Sequence, residues 1–233
     1  MQSIALIDYG SGNLRSAEKA LVRASAELGG ARAVIVTDDP DQIAKADRIV
    51  LPGVGAFAAC MAAFQARPGL SEALDEAVRA RGMPFLGICV GMQLMASRGL
   101  EFGQTQGLDW IGGEVRRLET QNAGLENTGQ GGVGLRRGVF KIPHMGWNDI
   151  DLVEHLTGHH PIFDGLGAEA PMYFTHSFAF FPDDPADIAA KVDHGGVFAA
   201  AVARGNMAGV QFHPEKSQAA GLRLLANFLD WRP

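Results

Sequence analysis

The sequence predicts an α/β protein: a central, mostly parallel sheet with flanking helices and antiparallel additions in the C-terminal half. Three observations carry this. Over the first hundred residues short β-like runs alternate with helical stretches, the pattern of βα units around a parallel sheet. The runs are apolar enough to be buried on both faces. After about Ile111 the texture changes to β-like segments separated by Gly, Pro and Asp clusters, as expected of strands joined by turns.

The first four strands are expected at Ile4 to Ile7, Ala33 to Val36, Arg48 to Leu51 and Pro84 to Ile88. Between them, Leu14 to Leu28 places Leu14, Ala17, Leu21, Ala24 and Leu28 on one helical stripe. Leu70 to Val78 does the same with Leu70, Leu74 and Val78. Later β-like segments lie near Val139 to Ile142, Met172 to Thr175, Val197 to Val202 and Met207 to Gln211. A last helix, Ala219 to Trp231, carries Leu222, Leu225 and Phe228 at spacing three and is expected to cover the sheet. Gly124 to Gly138 is rich in glycine with Asn, Thr and Gln, and reads as an exposed loop rather than a domain linker.

With 233 residues, 47% apolar and 20% charged, the chain has the composition of an ordinary globular protein, and residues 1–233 are read as one domain. Twenty basic against 26 acidic residues give a net charge of −6 without long runs, so the electrostatic footprint of a nucleic-acid binder is missing. Two cysteines, Cys60 and Cys89, make no disulfide framework and are read as free thiols. The first residues lack a basic n-region and apolar h-region, and no segment approaches the ~18 apolar residues of a membrane span. A soluble, cytoplasmic protein without membrane contact is expected.

The sharpest local signal is Pro84-Phe85-Leu86-Gly87-Ile88-Cys89-Val90-Gly91-Met92-Gln93, an apolar strand running through a tight turn into a helix. It is built like a nucleophile elbow, in which small neighbours, here Gly87 and Gly91, let the reactive residue adopt a strained conformation. A cysteine at a helix amino terminus is favoured as thiolate, the form that attacks. The N–H of Val90, just past it, is a natural oxyanion donor. Cys60 lies in the alanine-rich stretch Ala56 to Ala66 without flanking glycines and is read as structural.

A nucleophilic cysteine needs a histidine to take and return its proton, and a third group to hold the imidazole. Of seven histidines, His213 follows a strand and precedes Pro214-Glu215, so that Glu215 stands two positions on to accept its other N–H. The turn Pro52-Gly53-Val54-Gly55 ends another strand. The backbone amides of Val54 and Gly55 either face an oxyanion or belong to a plain turn or phosphate cradle. Neither this turn nor Gly10-Ser11-Gly12 completes Gly-x-Gly-x-x-Gly, because Ala58 and Arg15 occupy the final positions, and a Walker lysine is absent. The cluster His155, His159 and His160 near Asp151 and Glu154 reads as a solvated loop rather than a metal site. No metal and no cofactor is expected.

In order and spacing, Pro52 to Gly55, Gly87 to Gln93 and His213-Pro214-Glu215-Lys216-Ser217 resemble the class I (triad) glutamine amidotransferases over nearly the whole chain. Asp8 to Leu14, Pro143-His144-Met145-Gly146-Trp147-Asn148 and Tyr173 to Phe178 resemble more narrowly the glutaminase subunits of imidazole glycerol phosphate synthases. The Gly124 to Gly138 segment is longer than the connection expected there. The resemblance implies a flavodoxin-like fold and hydrolysis of glutamine through a γ-glutamyl thioester on Cys89. It also implies substrate contacts from Gly53, Gln93, Ser177 and Phe178, and a (β/α)8-barrel cyclase partner that consumes the ammonia. Tyr9, Asn13, Trp147 and Lys216 are expected at the interface with that partner. The alternatives are the glutaminase subunit of another amidotransferase, such as the one feeding pyridoxal phosphate synthase, and a catalytically silent regulatory subunit. Pro143 to Asn148 argues against the first, and intact Cys89, His213 and Glu215 against the second.

Overall fold

The computed structural model describes residues 2–29, 32–119, 140–154, 158–167 and 170–233. In chain order the elements of the N-terminal half are β1 (Gln2–Ile7), α1 (Leu14–Glu27), β2 (Arg32–Thr37), α2 (Pro40–Lys45), β3 (Arg48–Gly53), α3 (Phe57–Gln65), α4 (Leu70–Asp75), β4 (Phe85–Cys89) and α5 (Val90–Gln93). Then come β5 (Arg98–Gly99), β6 (Thr105–Gln106), β7 (Gly113–Arg117), β8 (His144–Asp149), β9 (Asp151–Leu152), β10 (Pro171–His176), β11 (Phe178–Pro182), β12 (Ile188–Asp193), β13 (Val197–Arg204), β14 (Met207–Val210) and α6 (Gln218–Asp230).

Among the described residues the main sheet runs β2-β1-β3-β4-β14-β13-β12-β9. The first five strands are parallel and the last three add antiparallel pairs, so the expected architecture holds, including its antiparallel C-terminal half. β3 and β4 are buried along their whole length, which is why they read as unbroken apolar runs. Among the described residues two smaller sheets, β10-β8 and β11-β7-β5-β6, accompany it. Helix α1 buries Ala17, Ala20, Leu21 and Ala24 and packs against α6, whose Leu225 and Phe228 are buried, while α4 packs on α2 and α3.

Several boundaries shift for identifiable reasons. Leu28 caps the end of α1 and is exposed, so the apolar stripe stops a turn early. The helix from Leu70 widens into a π-turn at Glu76–Ala80, which keeps Val78 buried. Residues 140–142 are not a strand; pairing starts at His144, past Pro143, which has no N–H to give a ladder. Helix α2 escaped the sequence reading although Asp39 caps it, its side chain accepting from Asp41 N–H at 2.9 Å. The Gly124 to Gly138 segment lies outside the described residues.

Parallel strands put their carboxyl ends at one edge, where ligands of such sheets bind. The register Gly53↔Cys89 and Val210↔Ile88 sets the turn after β3, the end of β4 and Gln211 side by side. His213 follows two residues later.

Candidate active site

Cys89 ends β4 with φ +54°, a conformation that L residues rarely adopt and that costs on the order of 1–3 kcal/mol. The neighbouring glycines make it possible. A Cβ on Gly87 would stand 2.7 Å from the Gly91 carbonyl oxygen, and one on Gly91 would overlap the Leu51 carbonyl. The chain therefore makes the expected elbow. Cys89 is only 4% exposed, yet it lines a cavity of about 600 Å³. Helix α5 is a single turn, so its dipole offers less than a full helix would; the side chains around the sulfur matter more.

His213 is held by its backbone. Its N–H donates to the Tyr173 carbonyl at 2.9 Å, and its carbonyl accepts from Ser217 Oγ–H at 2.6 Å. A 3₁₀ turn over Pro214–Lys216 then folds Glu215 back, so that His213 Nδ1–H donates to Glu215 Oε1 at 2.9 Å. That bond fixes the tautomer and leaves the buried Nε2 as the nitrogen free to exchange a proton with the Cys89 sulfur. Burial alone would lower the imidazole pKa; the Cys89 sulfur and the Glu215 carboxylate outweigh it and raise it from 6.5 to about 9. The sequence-predicted trio is thus assembled, with both partners supplied from the far end of the chain.

Val54, Gly55 and Val90, predicted as oxyanion donors, all line the cavity. The Val54 carbonyl accepts from Ser11 Oγ–H at 2.8 Å and lies 3.4 Å from Cys60 Sγ. In a trans peptide the Gly55 N–H points the opposite way, away from Ser11 and Cys60. Gln93, Ser177 and Phe178 also line the cavity. Its rim carries opposite charges, Glu101 and Lys216. Glu101, which the sequence reading missed, also accepts the Phe57 N–H at the start of α3 at 2.8 Å.

From the cavity wall inward runs a hydrogen-bond network whose polarity follows from one carbonyl. Phe178 O can only accept, and it takes bonds from Gln93 Nε2 and His176 Nδ1, each at 2.9 Å. Neutral His176 therefore accepts at Nε2, from His144 Nδ1–H at 3.2 Å, and His144 Nε2 accepts from Asn148 Nδ2 at 3.3 Å. Burial chiefly, with the neighbouring histidines, lowers His144 to about 3, and burial lowers His176 to about 4, so both rings stay neutral. Inside the Pro143 to Asn148 motif His144 thus bonds β8 to His176 at the end of β10, whose other nitrogen reaches the first residue of β11.

Gly53 is buried, and a Cβ there would lie 2.7 Å from Tyr9 Oη and 2.8 Å from Gly91 N, so its smallness lets β3 and α5 approach. One expected role is corrected. Tyr9 is 1% exposed and edge-on to Phe64, so its side chain is core and offers no surface to a partner. Asn13 and Lys216 do sit at the cavity mouth. Trp147 is 48% exposed and joins them through Tyr173, which it meets edge-on at 5.8 Å while Lys216 Nζ lies 5.7 Å over the same ring. Of the proposed histidine cluster, His155 lies outside the described residues. His159 faces Asp164 at 3.2 Å, and His160 accepts from Ile162 N–H and packs on Trp231. Among the described residues no three metal-ligating side chains converge, and no helix is long and apolar enough to cross a membrane.

A strained cysteine at a strand–helix elbow thus shares one cavity with a histidine–carboxylate pair, and the comparison with known proteins gives the family. The glutamine amidotransferase class-I family matches residues 5–231, and the chain belongs to it. It is 55% identical to imidazole glycerol phosphate synthase subunit HisH of Caulobacter vibrioides over 100% of both chains. With the protein of the same name from Ruegeria pomeroyi it shares 51% identity, over 98% of this chain and 99% of that one. A crystal structure of a glutamine amidotransferase superposes with a TM-score of 0.66 over 97% of each chain at 16% identity, which speaks for the fold alone.

Proposed function

We propose that this protein is the glutaminase subunit of an imidazole glycerol phosphate synthase, a single amidotransferase domain acting through Cys89, His213 and Glu215. The observation that carries the reading is the strained Cys89 lining the same cavity as a buried His213 whose Nδ1 is engaged by Glu215. Relatives of about 50% identity over the whole chain bear that subunit's name.

A carboxamide is a poor electrophile, so the reaction is divided in two. The Cys89 sulfur attacks the side-chain amide carbon of glutamine, and the oxygen takes up negative charge facing the N–H groups of Val90 and the Val54–Gly55 turn. The C–N bond then breaks, and His213 gives its proton to the departing nitrogen, leaving ammonia and a γ-glutamyl thioester. Water, losing a proton to His213, attacks the thioester; the C–S bond breaks and glutamate leaves. Gln93 and the backbone of Ser177 and Phe178 bound the substrate, and Glu101 offers a carboxylate to its ammonium group.

Ammonia released into water becomes ammonium, which is not a nucleophile, so a second subunit must receive it: a (β/α)8-barrel cyclase that uses it to form imidazole glycerol phosphate and an aminoimidazole carboxamide ribonucleotide. Asn13, Lys216 and the Tyr173-linked Trp147 form the docking rim beside the cavity, apolar at Trp147 and charged at Lys216. The test is glutamate release with and without the cyclase. Strong stimulation by the cyclase, weakened in Trp147→Ala and Lys216→Ala, supports the reading; no stimulation assigns the chain to another amidotransferase.

A further inference from the structure

Gln211 has no part in the triad, yet it is a polar side chain with no solvent exposure, packed behind Cys89 and Gln93. The parallel register Val210↔Ile88 brings it alongside Cys89, and its Nε2 lies 3.8 Å from the sulfur, within reach of an N–H···S bond. Which end of an amide faces a neighbour is normally ambiguous. Here the network decides it. The Phe178 carbonyl requires an N–H from Gln93. The same Gln93 nitrogen has a second hydrogen, which goes to Gln211 Oε1 at 3.0 Å. With its oxygen engaged, Gln211 has only its nitrogen left for the sulfur.

We propose that Gln211 is a further catalytic residue, a fixed N–H donor to the Cys89 sulfur, oriented by Gln93 acting as a positioning residue. The inference rests on the assignment of Cys89 as the nucleophile. A donor aimed at sulfur favours the anion over the neutral thiol and over the thioester sulfur, whose charge has been spent in the C–S bond. Its benefit is therefore largest when charge returns to sulfur. As water attacks the thioester and the C–S bond breaks, the electron pair goes to sulfur and meets an N–H already in place. During acylation the same donor holds the sulfur toward the cavity. Gln93 links the two ends of the site, since one nitrogen bonds both the Phe178 carbonyl, which borders the substrate, and the Gln211 oxygen.

The experiment compares the wild type with Gln211→Met, of similar length without a donor, and Gln211→Glu, which presents an acceptor. Alkylation of Cys89 by iodoacetamide at pH 7, followed by peptide mass, reads the sulfur without glutamine. It is expected to slow by about tenfold in Gln211→Met, the scale of a lost hydrogen bond to a charged group, and further in Gln211→Glu. KM for glutamine should stay within about threefold while kcat falls. Alkylation within twofold of wild type in both folded variants overturns the proposal. Should the variants not fold, the wild type suffices: the Gln211 side-chain N–H resonance must shift when Cys89 is alkylated, and an unmoved resonance overturns it equally. Wild-type protein that releases no glutamate even with the cyclase would instead overturn the functional reading.

Discussion

Replacing Glu215 by Gln keeps the shape and one acceptor for His213 Nδ1–H but removes the charge. The imidazolium lies well above its ordinary range, at about 9 against 6.5, in a residue only 1% exposed. At ~1.4 kcal/mol per tenfold, that is on the order of 3 kcal/mol of net preference for the charged ring, supplied by Cys89 and Glu215 against burial. Without the carboxylate part of this is lost, and the glutamine amide is free to turn its NH₂ to the ring and invert the tautomer. We expect kcat to fall by about 10² to 10⁴, the upper end being what a serine triad loses on the equivalent change, with KM altered by less than about threefold. The alkaline limb of kcat/KM, which reports the free enzyme, should move to lower pH, because the raised His213 pKa depends in part on Glu215. Folding stability carries the same sign. Because the folded pKa is raised, the stabilisation is complete below 6.5 and disappears as pH rises through about 9. The melting temperature at pH 7 should fall, because the charged ring loses its carboxylate and the buried, unpartnered Glu215 Oε2 is replaced by an equally unpartnered amide atom. The assay is steady-state glutamate release from pH 6 to 10 beside thermal melts. An unchanged kcat with an unmoved alkaline limb refutes the argument.

Glutamate release should vanish in Cys89→Ala and persist in Cys60→Ala, measured by a coupled glutamate assay; turnover by the Cys89 variant removes the triad. Gly91→Ala, whose Cβ would overlap the Leu51 carbonyl, should lower the melting temperature by more than about 5 °C or prevent folding, whereas Gly167→Ala, with open space around it, should be neutral. The His144–His176 pair predicts acid sensitivity. Both folded pKa values are depressed, to about 3 and 4, so the unfolded chain takes up protons first and stability present above 6.5 is lost as pH falls toward 4. Urea midpoints from pH 7 to 4.5 should drop, and the drop should shrink in His144→Gln; an equal drop in the variant places the sensitivity elsewhere.

The parallel half of the fold was legible because buried strands leave apolar runs between amphipathic helices, and the elbow because glycine at 87 and 91 marks a crowded turn. What escaped depended on contacts distant in sequence. β11 and β12 lie outside the β-like segments read from the sequence, although β11 carries Phe178, whose carbonyl organises the buried network. Glu101 lies in a connection between short strands, and only folding brings it to the cavity. Gln211 did leave a signal: it is a polar residue closing the apolar run from Met207, two positions before His213. Tyr9 misled in the opposite sense, since a position next to a functional turn says nothing about which way a side chain points; the aromatic ring goes into the core while Asn13, four residues on, reaches the cavity mouth.

The two cysteines differ in the polarity of their partners rather than in burial, which is what the proposed division into nucleophile and structural thiol rests on. Both are nearly inaccessible, Cys60 at 2% and Cys89 at 4% exposure. Cys60 sits in the first turn of α3 against Ser11 Oγ at 3.2 Å and the Val54 carbonyl. A carbonyl is served only by a thiol that keeps its proton, and burial raises the Cys60 pKa further. Cys89 meets a different set. Its sulfur raises the His213 pKa, Gln211 Nε2 donates to it, and it lines the cavity together with His213. In the proposed mechanism Cys60 and Ser11 bear on the chemistry indirectly, because by holding the Val54 carbonyl they set which way the Gly55 N–H points. In Cys60→Ala the Ser11 bond remains, which is why activity is expected to survive there. Ser11→Ala leaves the carbonyl with the longer sulfur contact alone, and a fall in kcat at constant KM in that variant, absent from Cys60→Ala, is the result that this division of labour requires.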